Sequence, residues 1–305
     1  MDPDDQPLEV QVTTAAQFSL QLQHIVEEYK QQWEVIWKMF SDTAGAPWRD
    51  LGCFRKRFPW MADRRKISAR DIRRASFCFK DTTGLGSDKF HPRWFAILPE
   101  ESLEQVADFL NSLEALGVWP MQLHATLIAL IPKPKGGKRS IGLQTSLVRL
   151  WERTRVLEVR AWREKNFREY NWAAKGRSAQ DAVWKQSVTA EAAAWLDHDV
   201  YAQLFDLEKC YEMVPLENVW RAGLLMHFPP EILRLELEAF AFARTVVLNG
   251  ACAEPVSTLS ALVEGGSFAT DSLSWCSSGP ATKSCCSTPS GLDAGHQFFF
   301  MRAIY

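Results

Sequence analysis

The chain holds 305 residues, room for one large domain or two ordinary ones, and its 47% hydrophobic and 24% charged residues exclude wholesale disorder and a fibrous repeat. The formal net charge of −2 conceals two basic stretches, +7 over residues 49–74 and +9 over residues 133–177, which together leave −18 for the remainder. The apolar run at 125–131 is far short of a membrane span, the first ten residues carry four acids and no base, and the seven cysteines have no regular spacing; no membrane segment, secretory leader or disulfide framework is expected, and the compartment is a reducing, intracellular one, nucleus or cytoplasm.

Residues 1–12 read as a polar tail. Over 13–40 the residues Phe18, Leu22, Ile25, Val26, Tyr29, Trp33, Ile36, Trp37 and Phe40 recur at three-four spacing, which predicts an amphipathic helix packed on the domain that follows. A loop at 41–48 leads into the first basic stretch, where 68–77 is helical; Gly84, Gly86 and Pro92 mark 82–92 as loop. Residues 102–116 form the clearest helix, with Ser102 and Gln105 as a capping box, Val106, Phe109, Leu110, Leu113 and Leu116 as its buried stripe and Gly117 as its stop. Strands at 126–132 and 138–143 flank Gly136-Gly137 as a hairpin. A long basic helix at 147–167 turns Leu150, Trp151, Val156, Val159 and Trp162 inward, and a third helix covers 179–195. Residues 200–207 read as a strand, 215–227 and 230–242 as helices opened by proline, and 244–259 as a second hairpin about Asn249-Gly250. Residues 271–295, with seven serines and three cysteines, read as low-complexity loop.

Concentrated positive charge suits nucleic-acid phosphates, the alternative being solvated helix faces whose charge averages out in space. Lys133, Lys135, Lys138 and Arg139 on a tight hairpin would present fixed donors to phosphate oxygens, or simply keep an exposed turn soluble. Asp206 ends the strand at 200–207, a position that suits a divalent cation or a helix cap.

Five segments, in this order, resemble those of reverse transcriptases of the non-LTR retrotransposon and group II intron type. Gly84, Gly86 and Asp88 with Leu98-Pro99 resemble the opening of the domain, and residues 131–143 the fingers hairpin. Gly176-Arg177-Ser178 with Asp181-Ala182 resembles the stretch between fingers and palm, Asp206 with Tyr211 and Glu212 motif A, and Glu264-Gly265-Gly266 motif B, where the family often has glutamine before the glycine. The resemblance spans about residues 82–270. It implies an α/β (α+β) fold with right-hand polymerase fingers and a partial palm behind an N-terminal helical extension. It implies RNA-directed DNA polymerase activity, a nucleotidyltransfer, on an RNA template with a DNA primer and dNTP. By the same resemblance Asp206 is catalytic and holds Mg²⁺. Tyr211 blocks a ribose 2′-OH, and Lys133, Lys135, Lys138, Arg139 and Arg177 grip phosphates. Gly265 lets the backbone approach the strands.

Two-metal phosphoryl transfer needs more than one carboxylate. The family takes the others from an Asp-Asp turn beyond motif B; no such pair follows residue 270, and Asp4-Asp5 lies in the leading tail. The expected organisation is a tail and helix at 1–46, a fingers-like region at 47–195, a partial palm at 196–270 and an aberrant tail at 271–305. Cys276, Cys285, Cys286 and His296 match none of the usual short zinc-ligand spacings. Two readings stand: a reverse transcriptase domain, incomplete and inactive in this chain, or a non-catalytic nucleic-acid-binding remnant of a retroelement.

Overall fold

The computed structural model describes residues 15–39, 45–50, 65–134, 136–166, 176–199, 201–204, 209–276 and 298–301, with Gly52, Phe54, Lys56 and Trp172 besides. Helix α1 (Ala15–Lys38) follows the three-four pattern, burying Val26, Ile36 and Trp37. Helix α2 (Ala69–Phe77) opens on a capping box in which Ser68 Oγ accepts the Asp71 N–H and the Asp71 carboxylate accepts the Ser68 N–H. Helix α3 (Glu100–Leu116) begins two residues earlier than its sequence suggests. Pro99, at φ −60°, already sets the entry, and Glu100 and Glu101 favour the positive end of the helix dipole, so Ser102 caps nothing. Its buried stripe is Leu103, Ala107, Leu110 and Leu113, while Phe109 and Leu116 face solvent. The stop is Gly117, in the left-handed region at φ +67°.

Strands β1 (Ala125–Pro132) and β2 (Lys138–Gln144) pair antiparallel, Thr126 opposite Gln144 and Pro132 opposite Lys138. The connection closes with the Lys133 N–H donating to Gly137 O (3.0 Å) and the Gly136 N–H to Lys133 O (3.1 Å). Both glycines sit at positive φ, +90° and +77°, where a Cβ would strain the turn. Helix α4 (Ser146–Lys165) follows, then α5 (Ala179–Trp195), strand β3 (Tyr201–Leu204), and helices α6 (Leu216–Leu225) and α7 (Pro230–Phe240). Strands β4 (Ala243–Leu248) and β5 (Ala251–Cys252) turn on Asn249 and Gly250, both at positive φ, the geometry of a two-residue type I′ hairpin. Helix α8 (Ala269–Cys276) and strand β6 (Phe298–Met301) complete the described elements.

The architecture is mixed α/β. The main sheet runs β2-β1-β4-β5, with β1 and β4 parallel and the two hairpin pairs antiparallel. Helix α1 packs on β4 and β5, where Val26 and Trp37 meet Ile128, Leu130, Val246 and Val256. A larger core joins α2, α3, α4, α6, α7 and α8 through residues such as Ile72, Leu110, Trp151, Trp220, Leu235 and Phe268. Three expectations need correction. The second hairpin does not run unbroken to Leu259: β5 ends at Cys252, and the chain returns to pair once more at Arg244 and Val256. The segment expected to be loose from 271 begins inside α8, because Leu273 is buried in the core and Asp271 pairs with Arg163 of α4. Strand β3, described over Tyr201–Leu204, pairs with β6 from the expected aberrant tail, outside the main sheet.

Helix α4 takes its start from a distant residue. Thr145 supplies no side-chain cap, and the Asp88 carboxylate instead accepts the Ser146 N–H at 2.7 Å and the Ser146 hydroxyl. Gly86 makes this possible, since a Cβ there would stand 2.3 Å from Gln144 O. Asp88→Ala is expected to cost about 1–2 kcal/mol, as loss of an N-cap does, measured as a lowered urea midpoint with unchanged slope.

Candidate nucleic-acid interface

The outer edge of β2 is closed by the 264–267 turn. The Gly142 N–H donates to Glu264 O at 3.0 Å, and a Cβ on Gly142 would lie 2.3 Å from Val263 Cγ1. Gly265 adopts φ +103°, which only glycine reaches without strain. Hairpin and turn thus bound a cleft of about 260 Å³ lined by Lys80, Gly142, Arg149, Glu152, Arg153 and Gly265, among others. Arg149 and Arg153, one turn apart on α4, hold their guanidinium groups 5.4 and 5.6 Å from the Phe79 ring centre, and Arg149 donates to Gly84 O at 2.7 Å. Burial lowers the Arg149 pKa against the pull of Glu152 and Asp88.

Of the residues the sequence singles out, the structure brings Gly265 beside the hairpin and sets Glu264 in the field of Arg139 and Lys133. Burial pushes the Glu264 carboxyl up, and those two cations pull it back. Lys133 and Arg139 are exposed, while the Lys138 ammonium lies 5.7 Å from the Tyr29 ring centre. Tyr211 belongs to a turn tied to the following loop: its carbonyl accepts the Leu262 N–H at 2.8 Å and its hydroxyl lies 3.4 Å from Thr270 Oγ1. Arg177 does not line the cleft; its guanidinium stacks over Trp172 at 4.7 Å. Ser178 and Asp181 form the capping box of α5, so local helix initiation accounts for both. Asp206 and Lys135 lie outside the described residues, as do Cys285, Cys286 and His296.

Sequence reasoning missed Lys80, Arg149, Glu152 and Arg153. The i, i+4 spacing of the two arginines on a basic helix was the available signal. It also overstated the free positive charge. Arg49 pairs with Glu238 (2.9 Å), Arg65 and Arg74 with Asp71 (both 2.9 Å), Arg73 with Glu100 (2.5 Å), Arg155 with Glu114, and Arg163 with Asp271. Acids from other segments thus engage Arg49, Arg73, Arg155 and Arg163, while Asp71, which Arg65 and Arg74 share, belongs to the first basic stretch itself.

Several acids are buried in the core. Glu236 is 1% exposed, and neither carboxylate oxygen has a hydrogen-bond partner among the described residues. Burial raises its pKa well above the ordinary value, and the nearby Glu152 and Asp271 raise it further. Burial likewise pushes Glu212 up to about 7 and Arg244, which opposes it, down to about 10. The fold favours the protonated form of such acids. Their contribution is complete below the ordinary 4.5 and is lost as pH rises through the folded value, about 7 for Glu212. Melting temperature should therefore fall between pH 5 and 8. Glu236→Gln should gain about 1–3 kcal/mol at pH 8 and flatten that fall, since a neutral amide removes the proton uptake that burying this carboxyl demands; an unchanged pH profile would refute this.

The described residues do not fit a two-ion magnesium site. No group of three or more His, Cys, Asp or Glu that could hold a metal occurs among them, Glu212 is buried in the fields of Glu264 and Arg244, and Asp271 is ion-paired with Arg163. No described helix is long and apolar enough to cross a membrane. The chain matches no protein-family model, and no curated protein is significantly similar to it.

Proposed function

We propose that this chain is a nucleic-acid-binding protein of reverse transcriptase type, which holds a strand of RNA or DNA along the hairpin, α4 and the 264–267 turn and does not polymerise by itself. One observation carries the reading. Segments that resemble the fingers hairpin and motif B, more than a hundred residues apart in the chain, meet through the Gly142–Glu264 hydrogen bond. The cleft they bound holds Lys80, Arg149 and Arg153. Cationic donors on a rigid hairpin and helix face, with glycines that permit close backbone approach, suit a phosphodiester chain.

The Mg²⁺, DNA primer and dNTP that the resemblance implies enter the same test. Purified chain is mixed with a primed RNA template, Mg²⁺ and dNTP. The expected result is salt-dependent binding of the template without primer extension. A lone Asp206 would not clamp both the attacking and the leaving oxygen, and several kcal/mol of lost transition-state stabilisation means orders of magnitude in rate, at about 1.4 kcal/mol per tenfold. Extension abolished by Asp206→Asn would establish the polymerase reading instead. Failure to bind any nucleic acid would remove both.

A further inference from the structure

We propose that the cleft reads one unpaired base of the bound strand, guanine in preference to the others, through the side chain of Glu152. The proposal rests on the nucleic-acid-binding reading and names the part of the ligand that this site selects. Glu152 lies on α4 between Arg149 and Arg153 and lines the cleft with them. It is 2% exposed. One carboxylate oxygen, Oε2, accepts the Ser267 N–H at 2.9 Å. The other, Oε1, is buried without a hydrogen-bond partner among the described residues. A buried acceptor left unmatched is costly, and a ligand that supplies the missing donor recovers that cost. Oε1 lies next to the cleft-lining Gly266: a Cβ at that position would stand in ordinary contact with it, 3.6 Å away.

The lining of the cleft therefore offers two opposite chemistries. Lys80, Arg149 and Arg153 offer donors to an anion, while Glu152 offers an acceptor to an N–H group. A nucleotide unit carries both, a phosphate and a base edge. Among the four bases guanine places two donors side by side, N1–H and the N2 amino group, with no acceptor between them. Adenine, cytosine and uracil each set an acceptor next to their donor on that edge. Burial raises the Glu152 pKa, while the Ser267 N–H, Arg153 and Arg149 pull it back.

The test compares binding of single-stranded RNA of equal length built from repeats of UUG, of UUI (I, inosine) and of UUA, with oligo(U) as the reference. Each is titrated by fluorescence anisotropy at several salt concentrations. The expected order is UUG, then UUI, which keeps N1–H and lacks the amino group, then the others. One charge-assisted hydrogen bond makes the step from guanine to adenine roughly tenfold to a hundredfold. Glu152→Gln still accepts the Ser267 N–H and should retain the fold and the salt slope while losing the preference for guanine. Equal binding of all four by the unaltered chain, with a normal salt slope, would overturn the base-reading role and leave the nucleic-acid reading standing. A guanine preference that survives in Glu152→Gln would assign it to another residue. No binding at any salt would fail the parent reading itself, and should the variant not fold, the inosine and adenine steps on the unaltered chain still decide.

Discussion

Arg155→Ala is expected to cost about 3–5 kcal/mol, a large part of the stability of an ordinary domain. The Arg155 side chain is 1% exposed. Its Nε donates to Glu114 Oε1 at 2.7 Å and one terminal nitrogen to Glu114 Oε2, while the other reaches Arg65 O at 3.0 Å and Glu158. Trp151 Nε1 donates to the same Glu114 oxygen at 2.7 Å. One guanidinium therefore ties α4 to α3 and to the segment before α2. Removing it leaves the largely buried Glu114 carboxylate with the Trp151 indole donor in place of an ion pair, which is costlier than never having buried the pair. The double variant Glu114→Gln with Arg155→Met, which removes both charges and keeps an acceptor for Trp151, should recover most of the loss. Urea denaturation of the three proteins gives the comparison. A single-variant loss below about 1 kcal/mol would show that the buried pair contributes little.

Replacing Lys133, Lys135, Lys138 and Arg139 together by alanine is expected to flatten the slope of log affinity against log salt by ~3 to 4 units, if all four contact phosphates. Lys133 and Arg139 are exposed on a turn fixed by two backbone hydrogen bonds, so the substitutions should leave the fold intact. Glu264→Gln is the informative companion. The Glu264 carboxylate lies in the field of Arg139 and Lys133 and competes with phosphate for them, so its neutralisation should tighten RNA binding where the hairpin variant weakens it. An unchanged salt slope in the hairpin variant would refute the role of the hairpin and confine any binding to Arg149, Arg153 and Lys80.

Much of the local structure was legible in the residues. The three-four spacing of α1, the prolines before α6 and α7 and the glycine turns of both hairpins each act within a few residues, and the chain folds there as its pattern dictates, whereas the capping boxes form at Ser68 and Ser178 and not at Ser102. What the sequence concealed was long-range. The start of α4 is satisfied by Asp88, 58 residues away, and the buried stripe of α3 is rotated relative to its apolar pattern by what packs against it. The basic stretches looked like one binding surface because composition counts charges and not their partners. Only the tertiary structure shows that Arg155 and Arg163 are paired with acids on other elements while Arg149 and Arg153 line a cleft. Glu152 is the sharpest case. Between two arginines on a basic helix it reads as an ordinary surface acid, and its burial against Ser267 is set by a turn 115 residues further along the chain. Periodicity and capping determine elements because their interactions are local. The cost of burying a charge, and hence which polar groups are left to meet a ligand, depends on neighbours that only the folded chain brings together.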